Sequence, residues 1–145
     1  MFQTKTAGKY KWLRAVILFA LVYLVIAVAF PNPPASNKMQ FMWRLGAWLA
    51  AALAFAIHIG FEHFRFRNSP QRTAFHVCAA VSLGAFGLAV VANIHALRTG
   101  TGNHRLLGSA LLIWPIITGL PAFIVALVAA AVLARLRPNK KLSAV

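Results

Sequence analysis

The sequence predicts an all-α integral membrane protein, a bundle of four transmembrane helices in a single domain that covers residues 1–145. Three observations favour this class. The chain is 61% hydrophobic, which exceeds the apolar share of an ordinary soluble domain. Its apolar residues form long runs, and its 15 Lys and Arg residues cluster at the edges of those runs. Both features are typical of helices that cross a bilayer.

Four apolar runs are long enough to cross the hydrocarbon core, which takes about 20 helical residues. A helix is expected because lipid offers no hydrogen bonds to an unpaired backbone. The prolines at 31, 33 and 34 predict the end of the first helix. Ser69 followed by Pro70 predicts the start of the third. The four predicted spans cover residues 12–30, 43–64, 70–97 and 106–136.

The fourth span differs from the others because it contains Pro115, Gly119 and Pro121. Proline removes a backbone hydrogen bond, so the helix is predicted to be kinked or broken at Pro115–Pro121. A broken helix would be typical of a small transporter, whose freed carbonyl groups line a substrate path. A separate interfacial helix over residues 103–113 is another alternative.

The basic residues divide unequally between the two sides of the predicted bundle. Four lie on one side, namely Lys38, Arg44, Arg98 and Arg105. Eleven lie on the other, namely Lys5, Lys9, Lys11, Arg14, Arg65, Arg67, Arg72, Arg135, Arg137, Lys140 and Lys141. By the positive-inside rule, both termini and the 65–72 loop are predicted to be cytoplasmic, in a plasma membrane or bacterial inner membrane.

The net charge of +14 also raises the question of a partner. Nucleic-acid binding is not predicted, because the bases flank the apolar runs as topology signals do. The expected partners are the lipid bilayer and its anionic headgroups, which the basic termini would attract. The run "AVA" at 27–29 resembles a signal-peptide cleavage site, so cleavage after Ala29 is an alternative to a retained first helix.

The stretch "HIGFEHFRFRNSPQRTAFH", residues 58–76, contains the one acidic residue of the chain, Glu62. Helical spacing places His58, Glu62 and Arg65 on one face. Because an unpaired carboxylate near hydrocarbon is expensive, we predict a polar clamp in which Glu62 bridges Arg65 and Arg72. A proton relay through Glu62 and the histidines is an alternative.

His58 and His76 are predicted to lie at similar depth on adjacent helices. Two facing imidazoles in a helical bundle can ligate the iron of a b-type haem, with arginines pairing to its propionates. The glycines of the third helix would leave room for the porphyrin. The alternative function is therefore a haem-binding redox or haem-handling protein with His58 and His76 as axial ligands.

No catalytic or metal-binding residues are predicted. The chain has one acidic residue, which excludes chemistry that needs two carboxylates, and the spacing of its histidines matches no zinc motif. Small residues on the second and third spans predict a tight hairpin between them. The leading hypothesis is a non-enzymatic membrane protein that acts through helix packing as a structural protein, subunit or assembly partner, with a protein partner or as a homo-oligomer.

Overall fold

The computed structural model describes residues 10–30 and 36–136, and these form an all-α bundle of four long helices. Each helix is long and apolar enough to cross a membrane. The predicted all-α class and the four predicted apolar helices are confirmed, although the second helix begins earlier than expected. The helices are α1 (Lys11–Ala29), α2 (Asn37–Phe61), α3 (Pro70–Thr99) and α4 (His104–Arg135).

Local sequence signals determine where α3 and α4 begin. The Ser69 hydroxyl accepts a hydrogen bond from the backbone N–H of Arg72 at 3.4 Å, and Pro70 occupies the first turn of α3. Asn103 caps α4 in the same way, accepting from the N–H of Arg105 at 3.0 Å. The prolines that were predicted to end the first helix lie at 31–34, outside the described residues.

The central helix of the bundle is α3, which packs lengthwise against α1 and α4. On one side, Ala80 lies in a small core with Val16 and Phe19 of α1. On the other, Ala74 and Val77 pack with Ala126 of α4. The alanines among them are small, and they allow the close helix approach on which packing in a membrane depends.

The predicted tight hairpin of α2 and α3 differs from the structure. The buried residues of α2 lie near its C-terminal end, at Ala54, His58 and Ile59. The small-residue face of α3 contacts α1 instead. A methyl group on Gly84 would lie 2.9 Å from Cβ of Tyr23 and 3.1 Å from the carbonyl oxygen of Ala20. A short loop makes α2 and α3 neighbours at the turn, but α1 occupies the groove farther along.

The fourth helix continues through both of its prolines. Helix α4 runs without interruption from His104 to Arg135, so of the predicted kink or break at Pro115–Pro121 the break is not found, nor is a separate helix over 103–113. The kink stays a prediction. Helix α3 contacts this region closely, because the Ser82 hydroxyl donates to the Pro115 carbonyl oxygen at 3.1 Å. Nearby, Asn93 Nδ2 donates to the carbonyl oxygen of Leu107 at 2.8 Å.

The described basic residues separate into two groups along the bundle. Four lie at the end that contains the α3–α4 loop, at Lys38, Arg44, Arg98 and Arg105. Six lie at the opposite end, which we call the basic end: Lys11, Arg14, Arg65, Arg67, Arg72 and Arg135. This grouping agrees with the sequence-based partition. The remaining basic residues of the predicted larger group, at 5, 9, 137, 140 and 141, lie outside the described residues.

Substitution Gly84→Ala tests the α1–α3 contact. The added methyl group would press on the Ala20 backbone, which cannot rotate away, so we expect a loss of roughly 1–3 kcal/mol of stability. The matched control is Gly108→Ala, because nothing lies within 4 Å of a methyl group there. Thermal unfolding in detergent, followed by circular dichroism, should show a lower midpoint for Gly84→Ala alone. Equal midpoints for the two variants would contradict this packing.

Candidate functional site

The buried acid Glu62 lies at the centre of a polar cluster at the basic end. Its side chain is fully buried. Oε2 accepts a hydrogen bond from Nδ2 of Asn68 at 2.6 Å and lies 2.9 Å from Nδ1 of His76. Oε1 has no protein hydrogen-bond partner. The carboxylate is therefore held through one oxygen, by the α2–α3 connection and by α3.

The chain changes from an α-helix to a π-helical turn at this acid, just before the connection between α2 and α3. The segment Glu62–Phe66 is a π-helical turn, a wider form that often occurs at functional sites. The chain then reverses at Arg67, whose φ of 51° is left-handed. This reversal brings Asn68 back to Glu62, and it starts α3 so that His76 reaches the same carboxylate.

The two histidines of the cluster are both covered by aromatic side chains of α1. The His76 ring stacks on Trp12, with centroids 5.1 Å apart and planes within 13°. The His58 ring stacks on Phe19, with centroids 3.8 Å apart and planes within 7°. Nδ1 of His58 also lies 3.4 Å from the hydroxyl of Tyr23. The cluster thus joins α1, α2 and α3 through ring contacts and hydrogen bonds.

The structure brings together part of the predicted clamp. Glu62 lies beside His76, and His58 lies one helical turn before Glu62 on the same helix. Neither Arg65 nor Arg72 forms an ion pair with Glu62 in the described part of the chain. Both arginines are exposed, as expected of long cationic side chains that extend from a helix end towards water. His76, which points inward, takes the place predicted for the arginines.

Sequence reasoning missed Asn68 and the aromatic residues Trp12, Phe19 and Tyr23. Asn68 was detectable, because asparagine in a tight turn often donates a hydrogen bond to a nearby group. The three aromatic residues lie 35 or more positions before the residues they cover. Helical spacing relates neighbours on one helix only, so it carries no information about which residues of α1 meet the cluster.

A large apolar cavity lies farther from the basic end. It measures about 470 Å³, and all four helices line it. We call it the apolar cavity. Its lining consists mostly of aliphatic, aromatic and small residues, namely Tyr23, Ile26, Ala27, Phe30, Ala47, Trp48, Ala51, Val81, Gly84, Ala85, Leu88, Trp114 and Thr118.

The haem hypothesis requires open space between His58 and His76. His58 is fully buried under Phe19, and neither histidine lines the apolar cavity. The glycines that were expected to admit a porphyrin are covered by α1, since Gly84 meets Tyr23 and Gly87 meets Leu24. Binding of haem at this pair would therefore require α1 to move. Among the described residues, no group of three or more His, Cys, Asp or Glu side chains is arranged to hold a metal ion.

Comparison with known proteins gives no relative from which a role for this cluster could be transferred. No family model, no curated protein and no solved structure matches the chain. The function is therefore argued from the contacts of the chain itself.

Substitution Glu62→Gln tests which groups hold the carboxylate. We expect it to destabilise the protein by roughly 2 kcal/mol, because a charged hydrogen bond to His76 is replaced by a neutral group at a buried position. The matched controls are Arg65→Gln and Arg72→Gln, whose side chains are exposed and should change stability little. Chemical unfolding of the three variants measures this. A large loss in either arginine variant would favour the clamp predicted from the sequence.

The visible spectrum of the purified protein tests the haem hypothesis. Because His58 is sealed beneath Phe19, we expect haemin titration to give no saturable Soret change that depends on both histidines. The variants His58→Ala and His76→Ala should titrate like the unmodified chain. A sharp α band on reduction, lost in both variants, would instead establish a b-type haem protein.

Proposed function

We propose that this chain is a non-enzymatic multi-pass membrane protein that acts as a subunit or assembly partner, with α2 as its docking helix. One observation carries the proposal. Helix α2 packs into the bundle near the basic end, whereas the described side-chain contacts of its first half are with the end of α1, through Trp43 and Gly46 against Phe30. Its buried residues are confined to its second half, and no residue of α2 before Ala54 is buried.

The part of α2 before Ala54 borders the apolar cavity. Ala47 and Ala51 line it from α2, opposite Gly84 and Ala85 of α3. In lipid, helices associate by close packing over small residues, since the bilayer supplies no hydrophobic drive. These small residues of α2 line a cavity rather than a tight contact with a neighbouring helix. A bulky apolar side chain from the transmembrane helix of a partner would complete the packing.

The charge distribution favours a different protein over a second copy. Six described Lys and Arg residues lie at the basic end, and Glu62, the acidic residue of the chain, is buried beside His76. Two copies docked side by side in the same orientation would bring these charges together, and like charges across an interface are unfavourable. A partner with acidic residues at this end would meet no such repulsion.

Each side chain of the polar cluster makes an internal contact, although Oε1 of Glu62 and Nε2 of His58 have no hydrogen-bond partner among the described residues, and these contacts support a structural role over a catalytic one. Glu62 and His76 bind each other, and His58 lies beneath Phe19. We also propose that the protein spans a plasma or bacterial inner membrane with both termini in the cytoplasm. The excess of basic residues at the basic end supports this orientation.

A photo-crosslinking residue at position 48 tests the docking helix. Trp48 lines the apolar cavity and is 77% exposed, so we expect an adduct of one defined mass with a second membrane protein in native membranes. The matched control position is Leu112 of α4, which is 73% exposed and does not line the apolar cavity. It should give no such adduct.

The variant Ala51→Leu provides the specificity control for this experiment. Its side chain would fill the apolar cavity from within, so the adduct from position 48 should fall about tenfold, because overpacking a contact costs on the order of 1–3 kcal/mol. An adduct at twice the mass of the chain would identify a homo-oligomer and contradict the proposal of a different partner. Adducts with lipid alone, unchanged by Ala51→Leu, would overturn the docking role.

A further inference from the structure

Two neighbouring cavities lie at the basic end, apart from the apolar cavity. The first measures about 390 Å³ and is lined by Lys11, Trp12, Phe66, Asn68, Arg72 and His76. The second measures about 350 Å³ and is lined by Lys11, Arg14, Phe61, Arg65 and Phe66. Because both contain Lys11 and Phe66, the two cavities share a wall. Each combines cationic side chains with aromatic rings.

The cations of these two cavities have no anionic partner within the described part of the chain. Lys11, Arg14, Arg65 and Arg72 form no described ion pair. The one carboxylate of the protein, Glu62, is fully buried and is occupied by Asn68 and His76. The four cationic side chains line two adjoining cavities, and an anion bound between them would offset their mutual repulsion.

The position and lining of the cavities identify the kind of anion. They lie at the ends of α1, α2 and α3, where a spanning helix reaches the headgroup layer. Arginine forms paired hydrogen bonds with phosphate oxygens. The rings of Trp12, Phe61 and Phe66 add an apolar surface. This surface can contact the glycerol and first acyl carbons of a lipid, whereas a free phosphate ion has no apolar part to place against it.

We propose that the two basic-end cavities form a binding site for the phosphodiester headgroup of an anionic phospholipid. Lys11 lies between the cavities and contacts the phosphate from both, while Arg65 and Arg72 bind it from opposite sides. This site is built by the helix ends. It is distinct from the diffuse electrostatic attraction between basic tails and a charged membrane surface. It is also independent of any protein docked on α2.

Quenching of Trp12 fluorescence by brominated lipid measures this site. The full chain carries W43F, W48F and W114F, three residues that line neither basic-end cavity, and it is reconstituted in phosphatidylcholine vesicles. A minor fraction of the lipid is brominated, as either phosphatidylglycerol or phosphatidylcholine. We expect an association constant about tenfold higher for the phosphatidylglycerol, since each nearby Lys or Arg contributes roughly a fivefold preference at most.

The variants separate a built site from a general charge effect. The double variant R65Q/R72Q should bring the two lipids to equal quenching, and R65K/R72K, which keeps both charges, should restore most of the preference. The matched control is R98Q/R105Q, which removes the same charge at the opposite end and should leave the preference unchanged. Circular dichroism checks that each variant remains helical.

Three results would overturn the proposal. The first is equal quenching by the two brominated lipids in the unmodified chain. The second is an equal loss of preference in R65Q/R72Q and R98Q/R105Q, which would indicate diffuse attraction. The third is displacement of brominated phosphatidylglycerol by inorganic phosphate in the surrounding buffer, which would assign the cavities to a free anion rather than to a lipid.

Discussion

The burial of one carboxylate is the constraint on which the rest of this structure depends. An ionised acid at the edge of a hydrocarbon layer is costly unless it is paired and hydrogen-bonded, and Glu62 is fully buried. The chain meets this cost with Asn68 from the α2–α3 connection and His76 from α3. Both partners reach the acid because a π-helical turn and the left-handed Arg67 reverse the chain next to it. Local backbone geometry and electrostatics thus fix how α2 meets α3.

The same cluster also explains the uneven attachment of α2. Polar groups, whose pairing is worth more in a low dielectric, hold α2 at the basic end, where α1 covers the cluster with Trp12 and Phe19. Farther along, α3 packs against both α1 and α4 through small residues: Gly84 of α3 lies against Tyr23 of α1, and Ser82 of α3 lies against Gly119 of α4. The first half of α2 contacts Phe30 through Trp43 and Gly46, and Ala47 and Ala51 border the apolar cavity.

The sequence was sufficient for the parts of the fold that depend on local patterns. Run length and composition predicted four helices, and the Ser69–Pro70 pair predicted the start of α3. Helical spacing predicted that His58, Glu62 and Arg65 share one face; His58 and Glu62 are both buried, whereas Arg65 is exposed. Pairing between helices was not predictable in this way, because the sequence around a glycine such as Gly84 does not indicate whether α1 or α2 packs against it. The contact of Glu62 with His76 was not predicted for a related reason: charge favoured the arginines, whereas in the structure the buried carboxylate lies beside His76.

The two ends of the bundle follow from different physical rules, and this difference bears on function. At the basic end, Lys and Arg side chains with no described ion pair line two cavities, so charge is the dominant property of any ligand that would bind there. Around the apolar cavity, charge is absent from the lining and shape decides, since lipid chains and apolar side chains are nearly equivalent as solvents for a helix. A partner helix would displace lipid chains only by packing more closely against the small residues of the apolar cavity. The polar cluster holds α2 at a fixed position beside the apolar cavity, so a partner helix would always meet the same packing surface.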